Sequence, residues 1–422
     1  MILNTRLKYL ENFGEIEVPK GLFRTIFFPK PQERYSHCAI IPLYGEPLWV
    51  ENGLPSLIKA AEATGQKTLV IGVINRHELS PISIQEENRE TLNFFNGFKS
   101  LSIPDFPLMT LYELSPKTDL LILNHNDEPN LFSSKEGVGK ARKLGCDLAL
   151  ALTTTPILNC KYLHTTDGDA VVDLDYFQIE KSSEAAVLLH PYTHFGVYKQ
   201  SEALTLYEFS LRYYVEGLKY AKSPYAHESL GSTIAVTPDC YAKVRGFPKR
   251  NAAEDFYFLN KAAKVGTLEQ ASHGWVKLIG RESDRVPFGT GVGTDKIWQK
   301  MEQQQPVTFF DPKSFLVIKN LNLAIKSWSE DKEMVPDASK ITRAICLSSS
   351  TKDLERMQNL LRSLSFFEIL ETAKTQRKSP EAVFKHCHES WDGFKTLKFI
   401  HGLRDNFFPE VKWEEAKISN LP

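Results

Sequence analysis

The chain has 422 residues, of which 42% are apolar and 24% charged, the values of an ordinary globular protein rather than of a disordered or fibrous one. Fifty-one basic residues stand against 52 acidic ones, giving a net charge of -1. That balance excludes a general attraction to nucleic acid or to an anionic membrane.

The length exceeds one ordinary domain, so a large domain with a smaller appended one is expected. Residues 1–36 read as a lead-in. Cys38-Ala39-Ile40-Ile41-Pro42 is an apolar run closed by proline, the pattern of a buried strand. Helical spacing runs from Trp49 to Ala63, with Gly65 as its stop, and Thr68–Ile74 is a second buried strand. Strand, helix and strand in so short a span make a βαβ unit, hence parallel strands and an α/β fold. Residues 75–110 are polar, with one helix expected around Glu86–Asn96. Leu120–Leu123 is a further strand, and Ser133 or Ser134 caps a helix reaching about Ala149. Tyr162–Thr166 runs as a strand into Asp167-Gly168-Asp169. Strands at Ala185–Leu189 and Thr233–Val236 and helices at Leu204–Tyr220 and Glu254–Lys264 complete this part. Beyond Gly293 the pattern turns helical, with Leu354, Met357, Leu360, Leu361 and Leu364 at helical spacing. A domain over 1–295 and a mostly helical region over 296–422 are the expected division.

Four segments carry chemistry. In Asp167-Gly168-Asp169, two carboxylates flank a glycine turn at a strand end, a pattern that suits a hard divalent cation and a departing diphosphate. In Pro42-Leu43-Tyr44-Gly45-Glu46, an aromatic ring and an acid follow the first strand, where a parallel sheet opens its nucleotide crevice. In Gly137-Val138-Gly139-Lys140-Ala141-Arg142-Lys143-Leu144-Gly145, glycines and bases open a helix, and positive charge there suits a pyrophosphate. In Ala253-Glu254-Asp255-Phe256, an acid pair sits in the first turn of a helix, whose dipole favours the ionised form of a general base. Taken singly, each also has a structural reading: a solvated turn, a packed tyrosine, a basic helix face, a dipole-stabilised helix start.

In this order the four segments resemble the family-2 glycosyltransferases with a GT-A fold, over about residues 36–270. GVGKARKLG is similar to that family's GxxxARNxG, and Gly246-Phe247-Pro248 stands where it has a GGF-like turn. The resemblance implies a Rossmann-like mixed, mainly parallel sheet flanked by helices. It implies that Pro42, Tyr44 and Glu46 line the nucleotide site, and that Lys140, Arg142 and Asp167 face donor phosphates or ribose. Asp169, with Asp167, would hold Mn2+ or Mg2+; some GT-A enzymes add a late histidine, here His273. Asp255 would be the base, with Glu254 positioning a sugar. The chain departs from the family at Asn75-Arg76, where an acid often grips the base, and at Arg245-Gly246-Phe247, which has one glycine rather than two.

The implied activity is transfer of a sugar, with inversion, from a nucleotide-diphosphate sugar, UDP- or GDP-linked, to an unknown hydroxyl acceptor. The alternatives are a retaining GT-A transferase and a non-catalytic GT-A-fold nucleotide- or sugar-binding protein. A GT-A-like nucleotidyltransferase would carry a glycine-rich loop that Leu43-Tyr44-Gly45-Glu46 does not match. Three further segments are secondary candidates: Arg281–Gly293 as a lid, with Arg281 or Arg285 on phosphate; His227–Ser232 at the acceptor pocket; and Tyr207, Phe209, Tyr213 and Tyr214 as core rather than as a sugar platform. Six scattered cysteines without a CxxC pair read as reduced thiols, and His386-Cys387-His388 lacks the second ligand pair of a structural zinc site. The amino-terminal stretch has no secretory apolar core, and no apolar run reaches the roughly 18 residues of a spanning helix. A cytoplasmic protein is expected, without nucleic-acid partners or a transmembrane segment, docking peripherally where it meets a membrane. Homo-oligomerisation stays open.

Overall fold

The computed structural model describes residues 2–15, 34–103, 106–178, 183–195, 201–279, 289–330, 337–377 and 379–421. The chain forms two compact units, residues 1–199 with 229–292, and residues 200–228 with 293–422. Residues 200–228, which in chain order fall inside the first expected domain, run with the C-terminal unit.

The strands of the first unit are β1 His37–Leu43, β2 Thr68–Asn75, β3 Ser100–Ser102, β4 Met109–Ser115, β5 Thr118–His125, β6 Leu163–Thr165, β7 Ala170–Val172, β8 Val187–Leu189, β9 Tyr192–Phe195, β10 Ile234–Val236, β11 Leu268–Gln270 and β12 Val276–Ile279. Nine of them form one mixed sheet in the order β11-β8-β10-β6-β1-β2-β5-β4-β3. Its heart, β5-β2-β1-β6, is parallel. Nearly every residue of β1, β2 and β5 is buried, which is why these segments read as unbroken apolar runs. Antiparallel partners flank this heart on both sides, β4 beside β5 and β10 beside β6. A second sheet, in the order β7-β12-β9, continues from the Asp167–Asp169 turn.

The helices of this unit are α1 Ile2–Phe13, α2 Leu54–Thr64, α3 Ile82–Phe94, α4 Val138–Leu152, α6 Pro238–Lys243 and α7 Glu254–Ala262. A π-helical turn at Trp49–Gly53 leads into α2, and Gly65 ends α2 in a left-handed cap at φ 68°. Helix α4 lies against β1 so closely that a Cβ added at Gly145 would stand 2.5 Å from Ile40 Cγ2. This is the Rossmann-like α/β arrangement that the resemblance implies, with the crevice of the parallel heart at the carboxyl ends of β1, β2 and β6.

The lead-in expected at residues 1–36 contains α1, tied to α4 and α6 by a buried polar cluster. Asp147 Oδ1 accepts from the hydroxyls of Tyr9 at 2.6 Å and Tyr241 at 2.7 Å, and Lys143 Nζ donates to Asp147 Oδ2 at 2.7 Å. With its polar groups so paired, the cluster avoids the cost of burying charge without partners.

The second unit holds α5 Ser201–Tyr220, most of α8 Thr290–Glu302, α9 Pro312–Glu330, α10 Ala338–Ile345, α11 Thr351–Ser363, α12 Phe366–Gln376, α13 Pro380–Ser390 and α14 Gly393–Asn406. Phe315, Leu321, Met357, Leu361, Cys387 and Phe399 form its apolar core. Tyr213 is buried there, with Phe209 and Tyr214 packed against it, so these aromatics serve as core. Cys387 faces the same interior, and among the described residues no group of three or more His, Cys, Asp or Glu side chains gathers as a metal cluster. All six cysteines are free thiols. Among the described residues, no helix is long and apolar enough to cross a membrane.

Candidate active site

Helix α4 is the element around which three of the four chemical segments meet. At its amino end, Gly139 N–H donates to Arg250 O at 3.1 Å, and a Cβ at Gly139 would lie 2.4 Å from Pro248 O and 2.6 Å from Arg250 O. Only glycine permits that approach to the loop leading into α7. One turn further, Arg142 is buried and forms ion pairs with Glu254 at the start of α7 and with Asp167 after β6. The glycines of GVGKARKLG therefore serve close packing, and its arginine links the two acidic segments.

Each acid reaches this point by a local backbone device. Thr166 N–H donates to Ile40 O at 3.1 Å, extending the pairing of β6 with β1 to the edge of the Asp167-Gly168-Asp169 turn. Gly168 is packed against the first-strand loop: a Cβ there would stand 2.9 Å from Leu43 Cδ2 and 3.1 Å from Glu46 Cβ. Glu46 thus lies beside the turn. On the other side, Ala253 takes a left-handed conformation at φ 58° immediately before the acid pair. That conformation is uncommon for a residue with a Cβ and costs of order 1 kcal/mol, a cost the surrounding packing sustains. Phe247 stacks on Phe258 of α7 with centroids 4.1 Å apart, fixing the turn to the helix. Arg245, which stands where the family has the first glycine of its GGF-like turn, adopts φ 66°, next to Gly246 at 66°. The departure in sequence leaves left-handed backbone at that position.

Asp255 is held by backbone donors. Its Oδ2 accepts from Gly231 N–H at 2.9 Å and its Oδ1 from Phe256 N–H at 2.7 Å. Gly231 is itself fixed by Thr165 Oγ1, which donates to Gly231 O at 2.6 Å. One glycine thus joins β6 to the acid pair. Burial pushes the Asp255 and Glu254 carboxyls up, and the Arg142 guanidinium opposes it in both. Arg142 is held above its ordinary value by Asp167, Glu254 and Asp255, against its own desolvation. Three carboxyl groups face one guanidinium, so the site carries an excess of negative charge when all are ionised.

The other expected residues are placed as follows. Pro42 is buried in β1, in register with Val73 of β2. The Tyr44 hydroxyl donates to Ser80 Oγ at 3.0 Å, and its ring stacks on that of His77 with centroids 6.2 Å apart and planes inclined by 27°. Lys140 pairs with Glu136 at 3.2 Å and lies 4.6 Å from the centre of the Phe132 ring. His273 has Asp175 as its acidic neighbour, Nδ1 to Oδ2 at 3.9 Å. Asp169 is half-buried in the turn. Most of the expected lid, residues 281–288 with Arg281 and Arg285, lies outside the described residues.

Two groups escaped the sequence reading. Asn75, Asn88 and Asn126 interlock at the carboxyl ends of the parallel strands: Asn88 Nδ2 donates to Asn126 Oδ1 at 2.9 Å and to Asn75 O at 3.0 Å, and Asn88 Oδ1 accepts from Gly45 N–H at 2.9 Å. They hold the first-strand loop in the place where an acid was expected. Behind the Asp167–Asp169 turn, His164 Nδ1 lies 3.1 Å from His190 Nε2, and Tyr176 stacks on His190 at 4.3 Å. Burial lowers both histidines, His190 to about 4. Asparagines and histidines dispersed over three elements and two loops show no shared spacing, so no sequence signal exposes either group.

The fold and site define an α/β protein with converging acidic segments at the crevice of a parallel sheet. No protein-family profile and no curated protein matches the chain. Among solved structures, the chain is similar to Staphylococcus aureus TarS 1-349 in complex with UDP-GlcNAc, at 12% identity over 84% of this chain and 89% of that one, with a TM-score of 0.37. It is also similar to the mannosyltransferase PcManGT from Pyrobaculum calidifontis in complex with GDP-Man and Mn2+, at 13% identity over 91% and 92%, with a TM-score of 0.35.

Proposed function

We propose that this chain is a metal-dependent glycosyltransferase of GT-A type that moves a sugar from a nucleotide-diphosphate donor to a hydroxyl acceptor, with inversion. One observation carries the reading: Arg142 joins the Asp167-Gly168-Asp169 turn to the Glu254-Asp255 pair at the open end of the parallel strands. Two acidic segments about 85 residues apart in sequence, each suited to one half of such a reaction, stand at one point.

The donor set fits a hard divalent cation. Asp167 and Asp169 offer carboxylate oxygens on a turn braced by Leu43 and Glu46, and the surplus of negative charge favours a cation there. No third acidic or imidazole ligand gathers with them among the described residues, so diphosphate and water would supply the remaining ligands. When bound, Mn2+ or Mg2+ neutralises the leaving diphosphate. The chain's own residues do the rest. Tyr44 and Glu46 border the nucleotide end of the crevice. Asp255 takes the acceptor proton at a carboxylate oxygen oriented by two backbone N–H groups. Glu254 and Arg142 keep the acid pair fixed. The free thiols support a reducing, cytoplasmic setting, and the second unit is assigned no chemistry.

The test is Asp255→Asn. It should keep nucleotide binding and lose about 10²–10⁴-fold of transfer, the usual worth of a general base. Unchanged transfer removes Asp255 from that role, and retention of anomeric configuration in the product favours the retaining alternative.

A further inference from the structure

We infer that Arg142 is a positioning residue that sets the charge and geometry of the acid pair, and that it does not bind donor phosphate. The inference deepens the proposed function and rests on it for its catalytic part. Its basis is geometric. The guanidinium is enclosed by Asp167 from the β6–β7 turn, Glu254 from α7 and the backbone of Gly231, and Asp255 is near enough to act on it electrostatically. A Cβ at Gly231 would lie 2.5 Å from Arg142 Cζ and Nη1 and 2.6 Å from Nη2, so backbone closes the side the carboxylates leave. The side chain is 3% exposed, whereas that of Asp167 is 37% exposed. The acid therefore faces the crevice and the arginine stands behind it.

A cation in that place has two effects. It attracts the Asp167 and Glu254 carboxylates into fixed directions, as a planar fork does best. It also lowers the cost of ionising Asp255 beside two other carboxyls, which a base requires. A phosphate-binding arginine would instead present free N–H groups to the crevice. Here each terminal nitrogen donates to a carboxylate, Nη1 to Glu254 and Nη2 to Asp167, and the Nε, which has no hydrogen-bond partner among the described residues, is buried out of reach of solvent.

The experiment compares wild type, Arg142→Ala and Arg142→Lys. UDP and GDP binding with Mn2+ is measured by calorimetry, and hydrolysis of UDP-GlcNAc and GDP-mannose is followed against pH. Arg142→Ala should leave the dissociation constant of the bound nucleotide within about threefold. It should lower kcat by about 10²-fold, the scale of a displaced reacting group. The acid limb of its pH profile should move upward, since Asp255 loses its cation, and Arg142→Lys should restore the limb in part. A loss of about tenfold or more in nucleotide affinity with an unmoved pH profile overturns the inference. A readout independent of turnover uses guanidinium chloride at low millimolar concentration. It should raise the melting temperature of Arg142→Ala, relative to sodium chloride of equal ionic strength, and leave wild type unchanged. Equal responses of the two proteins overturn the inference. Should wild type bind no nucleotide, the proposed function fails while the guanidinium comparison still decides the role of Arg142. Should Arg142→Ala not fold, Arg142→Lys carries the binding and pH comparisons.

Discussion

Gly231, whose N–H donates to Asp255, offers a direct perturbation of the acidic site that replaces no acid. Its φ is not among the left-handed ones, so Gly231→Ala meets no backbone penalty and the whole effect is steric. The new Cβ would overlap the Arg142 guanidinium, with three of its atoms at 2.5–2.6 Å. Overpacking of this kind costs about 1–3 kcal/mol. The reduced freedom of the unfolded chain returns about 0.4–1 kcal/mol. Retreat of the arginine is no cheap escape, because stripping a buried charge of its partner costs about 3–5 kcal/mol. At the middle of both ranges the net loss is about 1.3 kcal/mol, or roughly 3–5 °C in melting temperature at the ~2–4 °C per kcal/mol of a domain this size. Thermal and urea unfolding measure it, with nucleotide affinity followed in parallel. A melting temperature equal to that of wild type would refute the reasoning, since it would mean that no guanidinium occupies the space beside Gly231.

Three other outcomes are expected. Asp169→Ala should make nucleotide affinity insensitive to Mn2+ or Mg2+, which calorimetry with and without the metal checks. Gly139→Ala should lower stability by about 1–3 kcal/mol, because the obstructing atoms are the carbonyls of Pro248 and Arg250, and should do so with nucleotide absent; chemical denaturation reads it. His190 is neutral in the fold down to about pH 4, while an unfolded histidine takes a proton below about 6.5. Folding stability should therefore fall as pH drops through that interval, and His190→Gln should reduce the slope by about 1.4 kcal/mol per pH unit. A slope unchanged in the variant would show that His190 does not titrate differently on folding.

The sequence made the centre of the first unit readable and its periphery not. β1, β2 and β5 are buried on both faces, so their apolar runs stand out against polar loops. The end of α2 followed from Gly65, which does adopt the left-handed cap, whereas the helix expected from Trp49 opens as a π-helical turn and α2 itself begins at Leu54. The three-residue strands β7 and β11 and the four-residue β9 and β12 were missed, because so few residues show no alternation. Helix α1 was missed because its attachment is polar, through Tyr9 and Lys143, and polar burial has no period. The helix foreseen from Ser133 begins at Val138: Ser133 and Glu136 do bond, N–H to Oε2 at 3.1 Å, but in the turn before the helix. In the site, residue types were legible and partners were not. Arg142 was expected to face phosphate because a basic helix start suits an anion; the anions it meets are Asp167 and Glu254, and only the fold brings those two beside it.

The central claim is that the site joined by Arg142 takes a nucleotide diphosphate with a divalent cation. A thermal-shift comparison of UDP, GDP, UDP-GlcNAc and GDP-mannose, each with and without Mn2+, tests it most directly. Stabilisation by a ligand grows with the logarithm of its concentration over its dissociation constant. One nucleotide series should raise the melting temperature in the presence of Mn2+, and Asp169→Ala should abolish the metal's share of that rise. No shift with any of the four, at millimolar concentration and with Mn2+ present, would contradict the account.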